Sequence, residues 1–260
     1  MTTSSPVATL LLAMADDELV LGHRNAEWTG HSPILEEDIA FSNIAQDEIG
    51  HSLIWYTEYA KLVGGTSPDS LAFVRPWDEF TCARFVSYPK GDFAYTVVRQ
   101  FFFDIAEELR LRSFASSTSE FLRNASAKIL KEEAYHRLHT QGLVERLGDA
   151  TEESHRRMQA AVTAAFPQAL GLFEPLANEA DLVRDKIMAA NSSLAPQWIE
   201  AVVPVLRSVS LTASVSGVPG AFSSTAAADK GGRRGEHVQD LKQLVGDLQS
   251  VYRLVPGGAW

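Results

Sequence analysis

Apolar side chains recur every three or four residues along most of the chain, which places them on one face of an α-helix. Residues 6–24 show this pattern first, and we expect a helix there. A second helix is expected from about 33 to 63, because Ser32 before Pro33 is typical of a helix start and Gly64 of a helix end. No alternating strand pattern exceeds four or five residues, so an all-α fold is predicted.

The middle of the chain predicts two more long helices. Asp92 is placed to cap a helix from 93 to about 116. Thr118 or Ser119 is placed to cap the next, which we expect to end at Gly148. These four helices predict two long helical hairpins at the centre of the protein.

The C-terminal half predicts weaker helices around glycine-rich loops. A fifth helix is expected over 151–171, and one or two more over 176–215 with Pro196 and Pro204 as limits. A last helix is expected over 237–254. No shift in composition calls for a second domain, so a single domain over residues 1–260 is predicted.

Net charge and cysteine content argue against two classes of function for this chain. A net charge of -10 argues against non-specific nucleic-acid binding. The single cysteine, Cys82, excludes a disulfide framework or a cysteine-based zinc site, and we expect it to be a small buried residue.

The N-terminal stretch MTTSSPVATLLLAMADDE is apolar in its middle but has no preceding basic residue, and acidic residues follow it at once. It is a poor signal peptide. No run of 18 apolar residues occurs, so no membrane span is expected and a cytoplasmic location is predicted.

The candidate chemistry begins with Glu48 and His51, spaced three apart on the second helix. Residues at this spacing lie on one helix face and can point at one ion. Apolar residues such as Phe41, Ile44 and Trp55 share that face. A carboxylate buried among them is costly unless it is paired, protonated or bound to a metal.

The same E-x-x-H pattern returns at Glu133 and His136, again on an apolar stripe. A third copy, Glu152-x-x-His155, lies at a helix start next to Thr151, where a capping role explains it. The third copy is therefore interpreted as structural.

An acidic residue precedes each of the first two motifs by about one helical hairpin. Both acids, Glu18 and Asp104, lie inside apolar runs, where a solvated charge is not expected. A carboxylate-bridged di-metal site in a four-helix bundle needs this arrangement of one acid and one E-x-x-H motif from each pair of helices. The predicted ligands are Glu18, Glu48, His51, Asp104, Glu133 and His136.

Oxygen and nitrogen ligands without a thiolate suit two iron ions, with manganese as the alternative, and open positions can bind dioxygen. Glu107 or Glu108, one turn after Asp104, is an alternative ligand at that position. Glu37 is interpreted as favourable charge in the first turn of the second helix, with a contact that supports the metal ligands as the alternative. Three aromatic residues flank the ligand motifs: Trp55, Tyr56 and Tyr135. We expect core packing of them, with a radical-carrying role of the two tyrosines as the alternative.

Four stretches resemble the phenylacetate-catabolism family of ferritin-like proteins, the subunits of the ring-1,2-phenylacetyl-CoA epoxidase complex. They are EWTGHSPILEEDIAFSNIAQDEIGH, DFAYTVVRQFFFD, AKILKEEAYHRLH and GGRRGEHVQDLKQLVGDLQSVYRLVPGGAW. The first and the last are most similar to the C-type subunits. The resemblance covers nearly the whole chain and implies a ferritin-like four-helix bundle core with additional C-terminal helices.

The resemblance also implies a reaction. A reduced di-iron centre would use dioxygen to epoxidise the aromatic ring of an acyl-CoA thioester, with electrons from an iron-sulfur flavin reductase. A homologous catalytic A-type subunit is the expected partner. The family's ligand set falls on the same six residues.

Two roles for the chain stay open at this stage. C-type subunits act as scaffolds that have lost most ligands, whereas this chain keeps all six. It is therefore either an oxygenase component with its own di-metal site or a non-catalytic scaffold of the catalytic subunit. Iron storage of the ferritin type is the third and least favoured hypothesis, because the chain is much longer than one four-helix bundle.

One basic loop is a weak candidate for substrate binding. Lys230, Arg233 and Arg234 lie in the glycine-rich stretch DKGGRRGEH before the last helix. They are predicted to contact the phosphates of CoA, with a solvated loop or a subunit contact as the alternative.

Overall fold

Eleven α-helices make up most of the chain over residues 5–256, which the computed structural model describes. In chain order they are α1 (Pro6–Ala26), α2 (Leu35–Val63), α3 (Pro68–Phe73), α4 (Arg84–Ser87), α5 (Phe93–Ser113), α6 (Glu120–Ala150), α7 (Glu152–Ala169), α8 (Glu179–Arg184), α9 (Asn191–Ser208), α10 (Gln239–Leu248) and α11 (Ser250–Leu254). Two short antiparallel strands, β1 (Val215–Ser216) and β2 (Ser223–Ser224), form a hairpin in the glycine-rich region. The all-α prediction is confirmed.

Residues 1–4 and 257–260 lie outside the described residues. They include the start of the N-terminal stretch that was judged a poor signal peptide and the end of the C-terminal stretch on which the family resemblance partly rests. Within residues 5–256, no helix combines the length and the apolar character needed to cross a membrane.

The chain forms two compact units. The first unit comprises Met1–Pro89 and Gly231–Trp260, and the second comprises Lys90–Lys230. Helices α1 to α4, α10 and α11 belong to the first unit, and α5 to α9 belong to the second. The single domain over 1–260 stays a prediction.

In the first unit, α1 and α2 pack as an antiparallel hairpin. Gly22 allows their close approach, because a Cβ atom there would lie 2.9 Å from Ile49 Cγ1 and 3.0 Å from the Ala45 carbonyl oxygen. Any larger residue at position 22 would push the two helices apart.

Two buried aspartates tie α1 to distant parts of the first unit. Asp16 forms an ion pair with Arg75 and accepts hydrogen bonds from the Tyr56 hydroxyl at 2.6 Å and from the Thr81 backbone N–H at 2.6 Å. Asp17 forms an ion pair with Arg233 at 2.6 Å. Removing one partner from such a buried pair leaves a charge without compensation, so these contacts hold α1 firmly.

In the second unit, α5 and α6 pack together and α7 and α9 pack against α5. Trp198 of α9 lies at the centre of an aromatic cluster, with ring centroids 5.2 Å from Phe102, 5.4 Å from Phe166 and 5.8 Å from Phe173. Its indole N–H donates to the Phe102 carbonyl oxygen at 2.9 Å, so the buried polar atom is satisfied.

Three predicted helix starts are confirmed by side-chain caps. Asp92 accepts a hydrogen bond from the Tyr95 backbone N–H at 2.9 Å. Of the two candidates for the start of α6, Ser119 is the cap. Thr151 caps α7 in a reciprocal pair with Ser154. At the end of α2, Gly64 adopts a φ of 68°, as expected for a glycine stop.

Three boundary predictions are wrong. Helix α2 begins at Leu35, because the Ser32 hydroxyl donates to the Trp28 carbonyl oxygen and does not cap the helix. Gly148 lies inside α6, which continues to Ala150. The segment expected as one last helix is divided into α10 and α11.

The predicted limits at Pro196 and Pro204 are also wrong, because both prolines lie inside α9. Each has an exposed side chain. The carbonyl groups that lose an intrahelical partner therefore lie on the solvent side, where water can replace it.

Candidate metal centre

Helices α1 and α2 bring three of the predicted ligands together in the first unit. One donor atom each from Glu18, Glu48 and His51 lies within 4.8 Å of the others. His51 Nδ1 is 3.4 Å from Glu18 Oε2. The three side chains are almost completely buried, with exposures of 1%, 0% and 2%. Two carboxylates and an imidazole thus converge in the protein interior.

The local sequence explains this convergence. Glu48 and His51 are three residues apart, so they share the buried face of α2 with Phe41 and Trp55, both fully buried. Glu18 lies one turn before Gly22, the point of closest helix approach. The predicted apolar stripe on α2 is confirmed.

In the second unit, α6 carries the other E-x-x-H pair. His136 Nδ1 lies 3.3 Å from Glu133 Oε1, and both side chains are buried. On α5, Asp104 is fully buried. All three predicted residues of this unit are thus interior groups rather than surface charges.

Two residues that the sequence reasoning missed hold Asp104 in place. Gln100 Nε2 donates to Asp104 Oδ1 at 2.6 Å, and Thr140 Oγ1 donates to Asp104 Oδ2 at 2.6 Å. Gln100 lies one turn before Asp104 on α5, and Thr140 one turn after His136 on α6. Helical spacing from a predicted ligand is the signal that identifies both.

The alternatives to Asp104 have other partners. Glu107 accepts from Arg110 Nη1 at 2.6 Å. Glu108 binds both Arg137 and Arg112. Burial raises the pKa of Glu108, but hydrogen bonds from the two arginines outweigh it, so its pKa is below the ordinary value. Glu108 is thus held by two arginines near the surface, and the assignment of Asp104 as the ligand stays a prediction.

The donor set fits a hard or borderline divalent metal. Glu18, Glu48 and His51 offer two carboxylates and one imidazole, which suit iron or manganese. Cys82 is buried and is not part of the group. Burial raises the pKa of its thiol well above the ordinary value, so it is a small buried residue, as predicted.

The flanking aromatic residues divide into two kinds. Trp55 and Tyr56 are buried, as expected, and the Tyr56 hydroxyl donates to Asp16. Burial, and then the charge of Asp16, raise the pKa of this phenol well above its ordinary value. Tyr135 is 75% exposed, so the prediction of core packing is wrong there, because its position points away from the face of His136.

The third E-x-x-H copy is structural, as predicted. Thr151 caps α7 beside Glu152, which has an exposed side chain. His155 Nδ1 lies 2.7 Å from the Gly148 carbonyl oxygen. The histidine therefore binds the end of α6 and not a metal.

The basic loop requires a correction. Arg233 is buried and donates to Asp17, to the Ala13 carbonyl oxygen and to the Thr81 carbonyl oxygen. Its guanidinium is therefore a structural group of the first unit, and the predicted phosphate-binding role of Arg233 is wrong. Lys230 and Arg234 have exposed side chains, and their contact with CoA phosphates stays a prediction.

The whole chain, residues 1–260, matches the sequence family described as phenylacetic acid catabolic protein. The chain belongs to that family. Among its members, it is 31% identical over 249 residues to the C-type subunit of the 1,2-phenylacetyl-CoA epoxidase of Escherichia coli K12. The alignment covers 96% of this chain and 97% of the relative, which confirms the resemblance seen in the sequence.

A solved structure shares the fold of this chain. It is protein 19 with aldehyde deformylating oxidase activity from Synechococcus, with a TM-score of 0.54 over 82% of this chain and 95% of the other. At 15% identity the likeness concerns the fold alone. It confirms the predicted ferritin-like helical fold.

Proposed function

We propose that the chain is a component of a multicomponent di-iron oxygenase that epoxidises the aromatic ring of phenylacetyl-CoA in phenylacetate degradation. The residues proposed to hold two iron ions, with manganese as the alternative metal, are Glu18, Glu48, His51, Asp104, Glu133 and His136. The similarity to one component of an epoxidase supports the reaction. The buried carboxylate and imidazole group at Glu18, Glu48 and His51 is the observation that carries the metal proposal.

The physical argument concerns the cost of burying like charges. Glu18 and Glu48 are both interior, with donor atoms no more than 4.8 Å apart. Two buried carboxylates at this separation repel each other and lose their hydration. A divalent cation bound by both would offset the repulsion and the lost hydration, whereas a purely structural role would favour apolar residues here.

The chain's own residues would prepare the site in three ways. His51 and His136 each present Nδ1 beside a carboxylate. Gln100 and Thr140 hold both oxygens of Asp104. Trp55, one turn after His51, and Phe103, next to Asp104 in the sequence, are buried and would help to exclude water. Two reduced iron ions held there would supply two electrons for the reaction with dioxygen, in which one oxygen atom enters the ring and the other is released as water.

The proposal includes a partner and a surface for it. Four residues of α2 form an exposed apolar stripe on the helix face opposite Glu48 and His51. They are Leu35, Ile39, Ile49 and Leu53, with exposures of 72%, 54%, 37% and 52%. Since the relative from Escherichia coli is one component of an epoxidase, we assign the stripe to a homologous catalytic A-type subunit. An iron-sulfur flavin reductase would supply electrons, and an acyl-CoA substrate would place the reaction in the cytoplasm.

The stripe also supports the alternative function, a non-catalytic subunit that scaffolds the catalytic one. The two functions differ in what happens when this chain's ligands are removed. An oxygenase component loses turnover with its metal, whereas a scaffold keeps its partner active.

The first test is the metal content of the purified chain after anaerobic loading with ferrous iron, measured beside the double variant Glu48→Ala/Glu133→Ala. About two iron atoms per chain, lost in the variant while the helical circular dichroism is retained, is the expected result. No bound metal in the parent chain would overturn the di-iron proposal.

The second test concerns role and partner. Turnover of the reconstituted complex with Glu48→Ala in this chain should be lost, and retained turnover would establish the scaffold role. Leu53→Glu should abolish binding to the catalytic subunit, whereas Val251→Glu, at a similarly exposed apolar position on α11, should not. Equal binding by both variants would remove the stripe as the interface.

A further inference from the structure

A second site lies in the second unit and contains none of the six candidate metal ligands. It is a cavity of about 380 Å³. Its walls are the turn Leu170–Phe173 after α7, the first turns of α9, strand β2 and the chain that leads to Lys230. A volume of this size is within the range of small-molecule sites in proteins.

Apolar groups dominate the lining. The larger ones are Leu170, Phe173, Ile199 and Phe222, with Pro175 and Pro196 beside them. Among the described residues that line the cavity, none carries a carboxylate and Lys230 is the one charged group, although the chain has a net charge of -10. The cavity therefore combines an apolar interior with a cationic edge.

The apolar wall on the side of α9 is preformed. Phe173 packs on Trp198 with ring centroids 5.8 Å apart. Trp198 is in turn fixed by its hydrogen bond to the Phe102 carbonyl oxygen. A ligand could therefore contact this wall without an ordering cost for the aromatic side chains.

The opposite wall, which belongs to the β-hairpin, is fixed as well. Glu200 accepts hydrogen bonds from the backbone N–H groups of Phe222 at 2.6 Å and Gly220 at 2.9 Å. The Arg207 guanidinium lies 4.6 Å from the centroid of the Phe222 ring and covers one of its faces. The hairpin is therefore held to α9 by two backbone groups of its turn and by the Phe222 ring.

Some polar side chains that line the cavity are already hydrogen-bonded within the protein, and others are not. The Ser224 hydroxyl is engaged with the backbone of Ala226, and the Ser223 hydroxyl is hydrogen-bonded to the Ser216 hydroxyl. Among residues 5–256, no group pairs with the side chains of Ser192 or Lys230, and Lys230 is exposed. These two donors therefore remain available to a ligand.

We propose that this cavity binds an aromatic carboxylate. The ring would pack between Phe173 and Phe222, and the carboxylate would accept hydrogen bonds from the Lys230 ammonium and the Ser192 hydroxyl. The Lys230 ammonium favours an anionic group, and the apolar walls favour an uncharged remainder of the ligand. A sugar phosphate does not match the apolar walls, and a cation does not match the lysine. The site is independent of the proposed metal centre and goes beyond the proposed function.

The test uses the full chain and 2-naphthylacetate, whose fluorescence reports binding, beside its neutral amide. The carboxylate should bind about tenfold more tightly than the amide, because a charge-assisted hydrogen bond is lost in the amide. Lys230→Met should remove that preference and leave the amide's affinity unchanged. Lys128→Met, at an exposed lysine of α6, is the matched control and should bind like the parent chain.

Two further variants make the result decisive. Ala195→Trp fills the cavity from α9 and should abolish binding of both ligands in a chain that retains its circular dichroism. Glu48→Ala should bind as the parent does, so a failure of the metal proposal leaves this result intact. Equal affinities for carboxylate and amide, no effect of Lys230→Met, or no binding at all would overturn the proposal.

Discussion

Thr140 donates a hydrogen bond of 2.6 Å to Asp104, from one turn beyond His136 on the neighbouring helix of the same unit. Its hydroxyl accordingly fixes the orientation of a carboxylate that is fully buried. Ligand orientation by such outer contacts commonly changes metal affinity as much as the loss of a weak ligand does.

Replacing Thr140 by valine removes this hydroxyl and keeps the side-chain shape. We expect metal affinity to fall about 10- to 100-fold. The apo protein should lose roughly 1–3 kcal/mol of its free energy of unfolding, since one oxygen of Asp104 loses its donor. Competitive metal titration and urea unfolding measure the two effects. Thr140→Ser keeps the hydroxyl and should retain most of the affinity; an equal loss in both variants would contradict the positioning role.

Neutralising one of the two buried carboxylates of the first unit should affect the stability of the apo protein and that of the metal-bound protein in opposite directions. Glu18→Gln removes one of two neighbouring buried charges without a large change in volume. Without metal, we expect the free energy of unfolding to rise by about 1–3 kcal/mol. With ferrous or manganous ions, the variant should gain less stability than the parent. Thermal unfolding of parent and variant, in chelator and then in metal, measures both differences. A melting temperature of Glu18→Gln below that of the parent in chelator would show that charge repulsion does not destabilise the apo protein.

Gly148 and Gly142 form a matched pair within α6. A Cβ atom at Gly148 would lie 2.6 Å from Val209 Cγ2, whereas none of the described atoms lies within 4 Å of a Cβ atom at Gly142. Gly148→Ala is expected to lose about 1–3 kcal/mol through overpacking, despite the better helix propensity of alanine. Gly142→Ala should gain up to about 1 kcal/mol. Urea unfolding compares them, and a gain in both would show that Val209 yields without cost.

Arg233→Met tests the structural role of the basic loop. The substitution leaves Asp17 buried without its cation, and we expect a loss of about 3–5 kcal/mol in the free energy of unfolding. Arg234→Met, with an exposed side chain in the same loop, should stay within about 0.5 kcal/mol of the parent. A small loss in the Arg233 variant would mean that Asp17 finds another partner.

The stability of the first unit should fall in mild acid. Burial lowers the pKa of His237, whose Nε2 lies 2.6 Å from the Phe80 carbonyl oxygen, and burial lowers the pKa of His23 as well. The folded state therefore resists protonation, while the unfolded state takes up protons near the ordinary histidine pKa of 6.5. The stabilising effect is complete above that value and is lost as the pH falls through it.

Urea unfolding at about pH 7.5, 6.5 and 5.5 measures this slope, which spans the ordinary histidine range. His237→Gln removes one titrating group, so the loss of stability between the two ends of the series should become smaller. An unchanged slope in the variant would assign the effect to His23 and to carboxylates.

Local chemistry explains why so many helix starts could be predicted. Asp92, Ser119 and Thr151 cap helices through groups within three residues of themselves, so the sequence alone contains the whole interaction. The ligand helices were predictable for a similar reason, because a charged residue on an apolar stripe is visible from spacing.

The wrong predictions at Gly148 and Arg233 have the opposite cause, because each depends on a contact with a residue far away in the sequence. Gly148 does not end α6, because its lack of a side chain accommodates Val209, a residue 61 positions later. Arg233 does not face solvent, because its partner Asp17 lies 216 positions earlier. Contacts between residues so far apart in the sequence depend on the packed structure. The residue types around Gly148 or Arg233 do not indicate them.

The pairing of Asp17 with Arg233 also has a consequence for biosynthesis. A ribosome adding about 5–20 residues per second makes the aspartate roughly 10–40 s before the arginine that neutralises it. The ion pair of Asp17, and with it the final position of this part of α1, is therefore expected only when nearly all of the chain has been translated. Glu18 follows Asp17 directly, so we expect this proposed ligand to be positioned only at that late stage. Metal insertion is accordingly expected after release from the ribosome rather than during synthesis.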